Sequence, residues 1–93
     1  MLAAYITEFI GTFIFLSVIL ATGEAIPIGI ALAAAILFGG KISGGNFNPA
    51  VSFMMYMNGT LAPEDCAFYV IAQLAGAAAA LYFYNESGMI NKK

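Results

Sequence analysis

The residues best placed to do chemistry form a polar segment, Ser43–Ser52, inside an otherwise apolar chain. At its centre an Asn48-Pro49-Ala50 triplet follows a glycine-rich bend, with membrane-length apolar runs on both sides. At membrane depth, irregular backbone occurs only where it is buried in protein or lines a water-filled cavity. The segment therefore predicts a loop that faces a pore or a partner.

The triplet also has the form of a helix start. Asn48 is a favoured N-cap residue, and Pro49 suits the first helical position. The apolar run behind them has about eight residues, half of a membrane crossing. A helix that starts at mid-membrane points free N–H groups, and roughly half a positive charge, at the centre of the bundle.

Such a helix end would repel cations and donate hydrogen bonds to water. The side-chain amide of Asn48 would add a further donor. The preceding carbonyls have no helical partners and can form a ladder of acceptors along a file of water; they belong to Gly44, Gly45, Asn46 and Phe47. The alternative is that Asn48 only caps a buried, non-conducting turn.

Glu8 is the other candidate, because it lies within the first apolar run. An acid at the centre of a membrane span costs about 2.5–3.5 kcal/mol on insertion scales, so its carboxylate needs partners. Glu64 and Asp65 are expected to act at a helix start, where the helix dipole favours acids, rather than in catalysis.

The composition excludes several classes of function. The chain is 62% hydrophobic and only 9% charged, whereas soluble domains are about 25% charged. A net charge of −2 and the lack of a basic patch argue against nucleic acid as a partner. With no His and a single cysteine, Cys66, we expect no metal site, no cofactor and no enzymatic activity.

The pattern of apolar runs predicts an all-α, multi-pass integral membrane protein with residues 1–93 as one unit. Spans are expected at about 2–22, 27–41 and 63–84, the second of them shorter than a full crossing. A re-entrant loop and half-helix are expected at about 43–57. Aromatic side chains near the span ends are expected to anchor at the membrane interface: Tyr5, Tyr69, Tyr82, Phe83 and Tyr84.

Ser43–Ser52 resembles the first signature loop of the aquaporin (major intrinsic protein) family of water and small-solute channels. Three further segments resemble the first, second and third helices of that family: Thr7–Thr12, Gly29–Ala31 and Ala72–Ala77. The resemblance covers essentially the whole chain. It implies half of a six-span bundle, passage of water and small neutral solutes such as glycerol, and a structural Glu8 that accepts loop N–H groups. A proton-coupled role for Glu8, as in small multidrug transporters, is the alternative.

The chain departs from the family because members carry two such halves, inverted about the membrane plane, and this sequence has one. Val51 follows the triplet, as in first halves, whereas second halves usually carry Arg there, and the chain has no Arg. A monomer is therefore not expected to conduct. The resemblance also implies filter positions, which here are apolar and permissive: Ile28, Ile36, Gly45 and Val51.

Three arrangements remain open for a single half in the lipid bilayer. Two copies could pair in opposite orientations, a separate chain could supply the second half, or the protein could be a non-conducting remnant or interaction module. Inverted pairing requires an undecided topology. The distribution of Lys and Arg between the two membrane faces sets the orientation of a membrane protein. Here the positive charges are nearly balanced, with Lys41 and the amino terminus expected on one face and Lys92 and Lys93 on the other.

Overall fold

The computed structural model describes residues 1–87, which form four helices and no strands. Helix α1 spans Leu2–Thr22, α2 spans Ala25–Ser43, α3 spans Pro49–Met57 and α4 spans Pro63–Ser87. Helices α1, α2 and α4 are long and apolar enough to cross a membrane. With 9 residues, α3 is about 14 Å long, roughly half of the hydrocarbon core. The fold is thus the predicted three spans and one half-helix.

The direction of each helix follows from contacts between them. Tyr5 bonds to Asp65 and Glu8 to Gln73, so α1 and α4 run parallel and start at the same end of the bundle. Ser43, the last residue of α2, bonds to Glu8, so α2 runs back toward that end. Because α3 is joined to the start of α4 by a short turn, the chain enters the bundle and leaves it on the same side, as a re-entrant element does.

Two helices are longer than predicted. Helix α2 has 19 residues, Ala25–Ser43, and is a full span rather than the short one expected at 27–41. It starts two residues before Pro27 because a proline in the first turn costs no helical hydrogen bond. It continues to Gly44, which terminates it in the left-handed conformation.

Helix α4 continues beyond the end expected near Tyr84. It runs to Ser87 because Asn85 and Glu86 are polar but do not break a helix as glycine or proline would. The tail lysines Lys92 and Lys93 lie outside the described residues.

The bundle is polar inside and apolar outside. Most of its buried side chains are small or polar, among them Ala4, Ala35, Glu8 and Gln73, whereas most large apolar side chains point outward; Phe47 is a buried exception. A lipid-facing surface accounts for this inversion, since lipid tails are as apolar as leucine. Small residues allow the helices to approach closely: a Cβ atom at Gly76 of α4 would lie 2.8 Å from a backbone oxygen of α1.

Candidate functional site

The site is built on the N-terminal end of α3. Asn48 has extended backbone, and its Oδ1 accepts a hydrogen bond from the N–H of Ala50 at 2.8 Å. Pro49 occupies the first helical position, where its missing N–H is not needed. Asn48, Pro49 and Ala50 are all exposed, so the capped end of the half-helix is not covered by the other residues that the structure describes.

The loop between α2 and α3 uses the left-handed backbone region three times. Gly44, Gly45 and Phe47 have φ of 90°, 66° and 53°. Two of these positions hold glycine, which adopts that region without a Cβ penalty. Phe47 is the exception, and a bulky residue in this conformation persists only when its surroundings hold it there.

Glu8 holds the loop from behind. Its carboxylate is 0% exposed and accepts four hydrogen bonds. Oε2 accepts from Ser43 Oγ at 2.7 Å and from the backbone N–H of Asn46 at 3.0 Å. Oε1 accepts from the backbone N–H of Phe47 at 2.7 Å and from Gln73 Nε2 at 2.8 Å. All four partners are donors, the complement of an acceptor-only carboxylate.

A second set of polar side chains extends this network to α3. The hydroxyl of Ser52 accepts hydrogen bonds from Asn46 Nδ2 at 2.9 Å and from Gln73 Nε2 at 2.8 Å. All three residues are buried. Gln73 thus joins α4 to the carboxylate on α1 and to the half-helix at once.

Sequence reasoning assigned no role to Gln73, Ser43 or Ser52. The available signal was the polarity of Gln73 within an apolar run and of the two serines at the ends of the loop segment, because a polar group at membrane depth must find a partner. The expectation that Tyr69 anchors at the membrane interface is wrong. Tyr69 is buried, and its hydroxyl donates to the backbone oxygen of Ser43 at 2.6 Å, closing the end of α2.

Several polar groups of the loop have no partner within residues 1–87. The side-chain Nδ2 of Asn48 makes no hydrogen bond there, since only its Oδ1 is used by the cap. None of the described residues donates to the backbone carbonyls of Gly44, Gly45, Asn46 and Phe47. The N–H groups of Gly44–Phe47 therefore all have acceptors, while the carbonyls of the same residues stay available.

The structure brings two of the expected filter residues together. A Cβ atom at Gly45 would lie 3.4 Å from the Cα of Ile36, so the loop touches α2 there. Ile28 lies on the same helix about 12 Å away along its axis, and Val51 lies in the first turn of α3. Ile28 and Val51 are half-buried, and Ile36 is exposed.

Acidic and sulfur side chains do not gather into a metal site in the described part of the chain, where no group of three or more His, Cys, Asp or Glu occurs. Asp65 instead accepts a hydrogen bond from the Tyr5 hydroxyl at 2.6 Å. Cys66 is half-buried, with its sulfur 3.6 Å from the backbone oxygen of Ser52.

Comparison with known proteins gives consistent matches. The family model for the major intrinsic protein matches residues 1–91. Glycerol uptake facilitator protein-like 6 of Lactiplantibacillus plantarum is 44% identical over 86 residues, covering 82% of this chain and 39% of that protein. Aquaporin TIP2-1 of Arabidopsis thaliana is 35% identical over 102 residues, covering 87% of this chain and 40% of that protein.

A third relative, Aquaglyceroporin AqpS of Rhizobium meliloti, is 46% identical over 56 residues, covering 60% of this chain and 24% of that protein. No solved structure matches the chain significantly. The chain spans about two fifths of the length of the first of these relatives. The family match over nearly all of its residues, with three membrane-spanning helices and a half-helix, makes this chain an integral membrane protein that belongs to the major intrinsic protein family.

Proposed function

We propose that the chain is one half of a passive channel for water and small neutral solutes such as glycerol. The observation that carries the proposal is the asymmetry of the loop. The N–H groups of Asn46 and Phe47 are bound by the buried Glu8, while the loop carbonyls and the Asn48 amide nitrogen have no partner within residues 1–87. Partnerless polar groups at membrane depth need water or protein against them. A file of water would supply both the donors and the acceptors.

In this proposal the Asn48 amide is the central donor and the carbonyls of Gly44–Phe47 form the acceptor ladder. Glu8 acts as a brace rather than as a proton carrier. Its two oxygens already accept four hydrogen bonds and it is fully buried, so solvent has no route to the carboxylate in this structure. The printed names of two relatives, a glycerol uptake facilitator and an aquaglyceroporin, support glycerol beside water as a solute.

We propose further that two copies pair in opposite orientations, so that two half-helices meet end to end. One half-helix leaves the pore without an opposite wall, and inverted pairs are a common architecture of membrane transporters. A separate chain carrying the second half would serve equally. In the paired arrangement both mouths are lined by Ile28, Ile36, Gly45 and Val51, an apolar and permissive constriction.

The test is osmotic shrinkage of proteoliposomes that contain only this chain, followed by stopped-flow light scattering. Wild-type protein should pass water and glycerol faster than empty liposomes, and Asn48→Leu should abolish that gain. Asn48→Asp separates the two roles of the side chain: it keeps the acceptor for the Ala50 N–H but removes the amide donor. It should fold normally and conduct poorly.

Orientation and pairing are checked separately. Inverted pairing predicts dimers in mild detergent and amino termini labelled on both membrane faces by an impermeant reagent. A single orientation with no flux from folded protein would contradict the self-paired channel. If flux then appeared on adding a second-half chain, that chain would be the partner; its continued absence would indicate a non-conducting remnant or interaction module.

A further inference from the structure

The side chain of Phe47 occupies a notch made by three glycines. The ring is 2% exposed and lies against Gly11 of α1, Gly39 of α2 and its loop neighbour Gly45. A Cβ atom at Gly11 would lie 2.6 Å from both Cδ1 and Cζ of the ring, and one at Gly39 would lie 2.9 Å from Cζ. Neither helix could carry a side chain there without displacing the ring.

The same residue is fixed at its backbone. Its N–H donates to Glu8 Oε1 at 2.7 Å, and its φ of 53° is in the left-handed region. Glycine or asparagine would adopt this φ with less strain, so the aromatic side chain must compensate by its packing. The ring and the N–H bond together determine the orientation of the Phe47 peptide.

The ring also reaches the expected constriction. Its Cε2 would lie 3.5 Å from a Cβ atom at Gly45, and the same Cβ would lie 3.4 Å from the Cα of Ile36. The ring therefore stands between Gly11 of α1 and the part of the loop that contacts α2 at Ile36. A change in its size changes how far the loop stands off α1.

We infer that the Phe47 ring, held by Gly11 and Gly39, is a positioning element that sets the width of the pore and hence its selectivity between water and glycerol. The inference rests on the proposed function, because it takes the loop carbonyls to line the pore. A smaller side chain would let the loop settle back toward α1, which widens the opening. A methyl group at Gly11 would push the ring and the loop the other way.

An apolar groove of about 270 Å³, open on its outer side, adjoins the notch and leaves space beside the ring. It lies between α1 and α2, and its lining includes Ile10, Ala35, Phe38 and Phe47. Variants at the notch are therefore expected to fold with a shifted loop. Such a shift makes selectivity, rather than overall stability, the informative measurement.

The experiment measures the ratio of glycerol to water permeability in proteoliposomes of the paired protein. Phe47→Leu should raise the ratio by about threefold, because solute selectivity follows pore diameter. Gly11→Ala should lower it, and the double variant should return toward wild type since the added methyl replaces lost ring volume. Controls are Phe83→Leu, a residue of α4 that is 58% exposed, and Gly40→Ala, where a Cβ meets nothing within 4 Å.

Amide hydrogen exchange of Asn46 and Phe47 is measured on the same samples, because it reports the loop without requiring flux. Faster exchange in Phe47→Leu with an unchanged permeability ratio would overturn the inference, since the ring would then only stabilise the fold. A permeability ratio that did not return toward the wild-type value in the Phe47→Leu, Gly11→Ala double variant would overturn the inference too. If wild-type protein carried no flux even with a second-half chain added, the proposed function would fail. Equal exchange in wild type and Phe47→Leu would then reject the positioning role separately.

Discussion

Replacing Glu8 with Gln should destabilise the protein although the two side chains have nearly the same shape. The carboxylate accepts from four donors, two at each oxygen. An amide offers one acceptor and one NH₂ group. If the NH₂ group faces Ser43 and Asn46, the Ser43 hydroxyl can turn to accept, but the backbone N–H of Asn46 cannot. In the other orientation the backbone N–H of Phe47 is left facing NH₂.

The size of the effect follows from this count. One buried N–H loses its acceptor, at about 1–3 kcal/mol. The remaining bonds change from charge-assisted to neutral, which roughly halves their strength. Relief from burying a charge offsets part of that loss. We expect the free energy of unfolding to fall by about 2–4 kcal/mol.

The assay is reversible unfolding in mixed micelles, followed by far-ultraviolet circular dichroism, with hydrogen exchange at the loop amides. Glu24→Gln is the matched control because Glu24 is exposed in the turn between α1 and α2. The control should change stability by no more than about 0.5 kcal/mol. Exchange should accelerate at Asn46 and Phe47 in Glu8→Gln and stay unchanged in the control.

Two results would refute this reasoning. If Glu8→Gln matched the control in stability, the four hydrogen bonds would not hold the loop. The second result has two parts: Glu8→Gln keeps its stability and loop protection, and solute flux depends on a pH gradient in wild type but not in the variant. Glu8 would then be a proton site. The brace predicts flux that is indifferent to such a gradient.

Two further predictions concern packing and selectivity. Gly76→Ala should lower the free energy of unfolding by about 1–3 kcal/mol because its Cβ would meet the α1 backbone at 2.8 Å. The control Gly29→Ala, where nothing lies within 4 Å, should be neutral or stabilising. Equal effects of the two changes would contradict the close approach of α1 and α4. Val51→Arg should reduce glycerol flux more than water flux in proteoliposomes, because it places a charge in an apolar constriction; an equal loss of both would contradict the filter assignment.

Much of the fold could be predicted because local signals agree with the tertiary structure. The bounds of α1 follow from its apolar run and from Gly23, which ends it in the left-handed conformation. The start of α3 follows from Asn48 and Pro49, whose cap geometry is determined within three residues. At α2 the predicted bounds were two residues short at each end, because the helix begins before Pro27 and continues past Lys41 to the residue before Gly44.

The inner arrangement of the site could not be read from sequence because it depends on distant residues. Gln73 is 65 positions from Glu8, and Tyr69 is 26 positions from Ser43. The sequence indicates that Glu8 needs hydrogen-bond partners, but it does not identify Gln73 as one of its four donors. The left-handed conformation of Phe47 was likewise hidden, since it depends on notches in two other helices that only the assembled bundle brings together.

The two sides of the loop make opposite demands on the chain. On one side, the N–H groups of Asn46 and Phe47 donate to Glu8 of the same chain. On the other, four carbonyls and the Asn48 amide are left without partners in the described residues. At about 1–3 kcal/mol for each unpaired polar group kept away from water, leaving them in contact with dry lipid would cost as much as the 5–15 kcal/mol that typically stabilises a whole domain. A dry, solitary half would therefore be unstable in lipid, so stability in the bilayer should depend on water, a second copy or a second-half chain reaching this side of the loop.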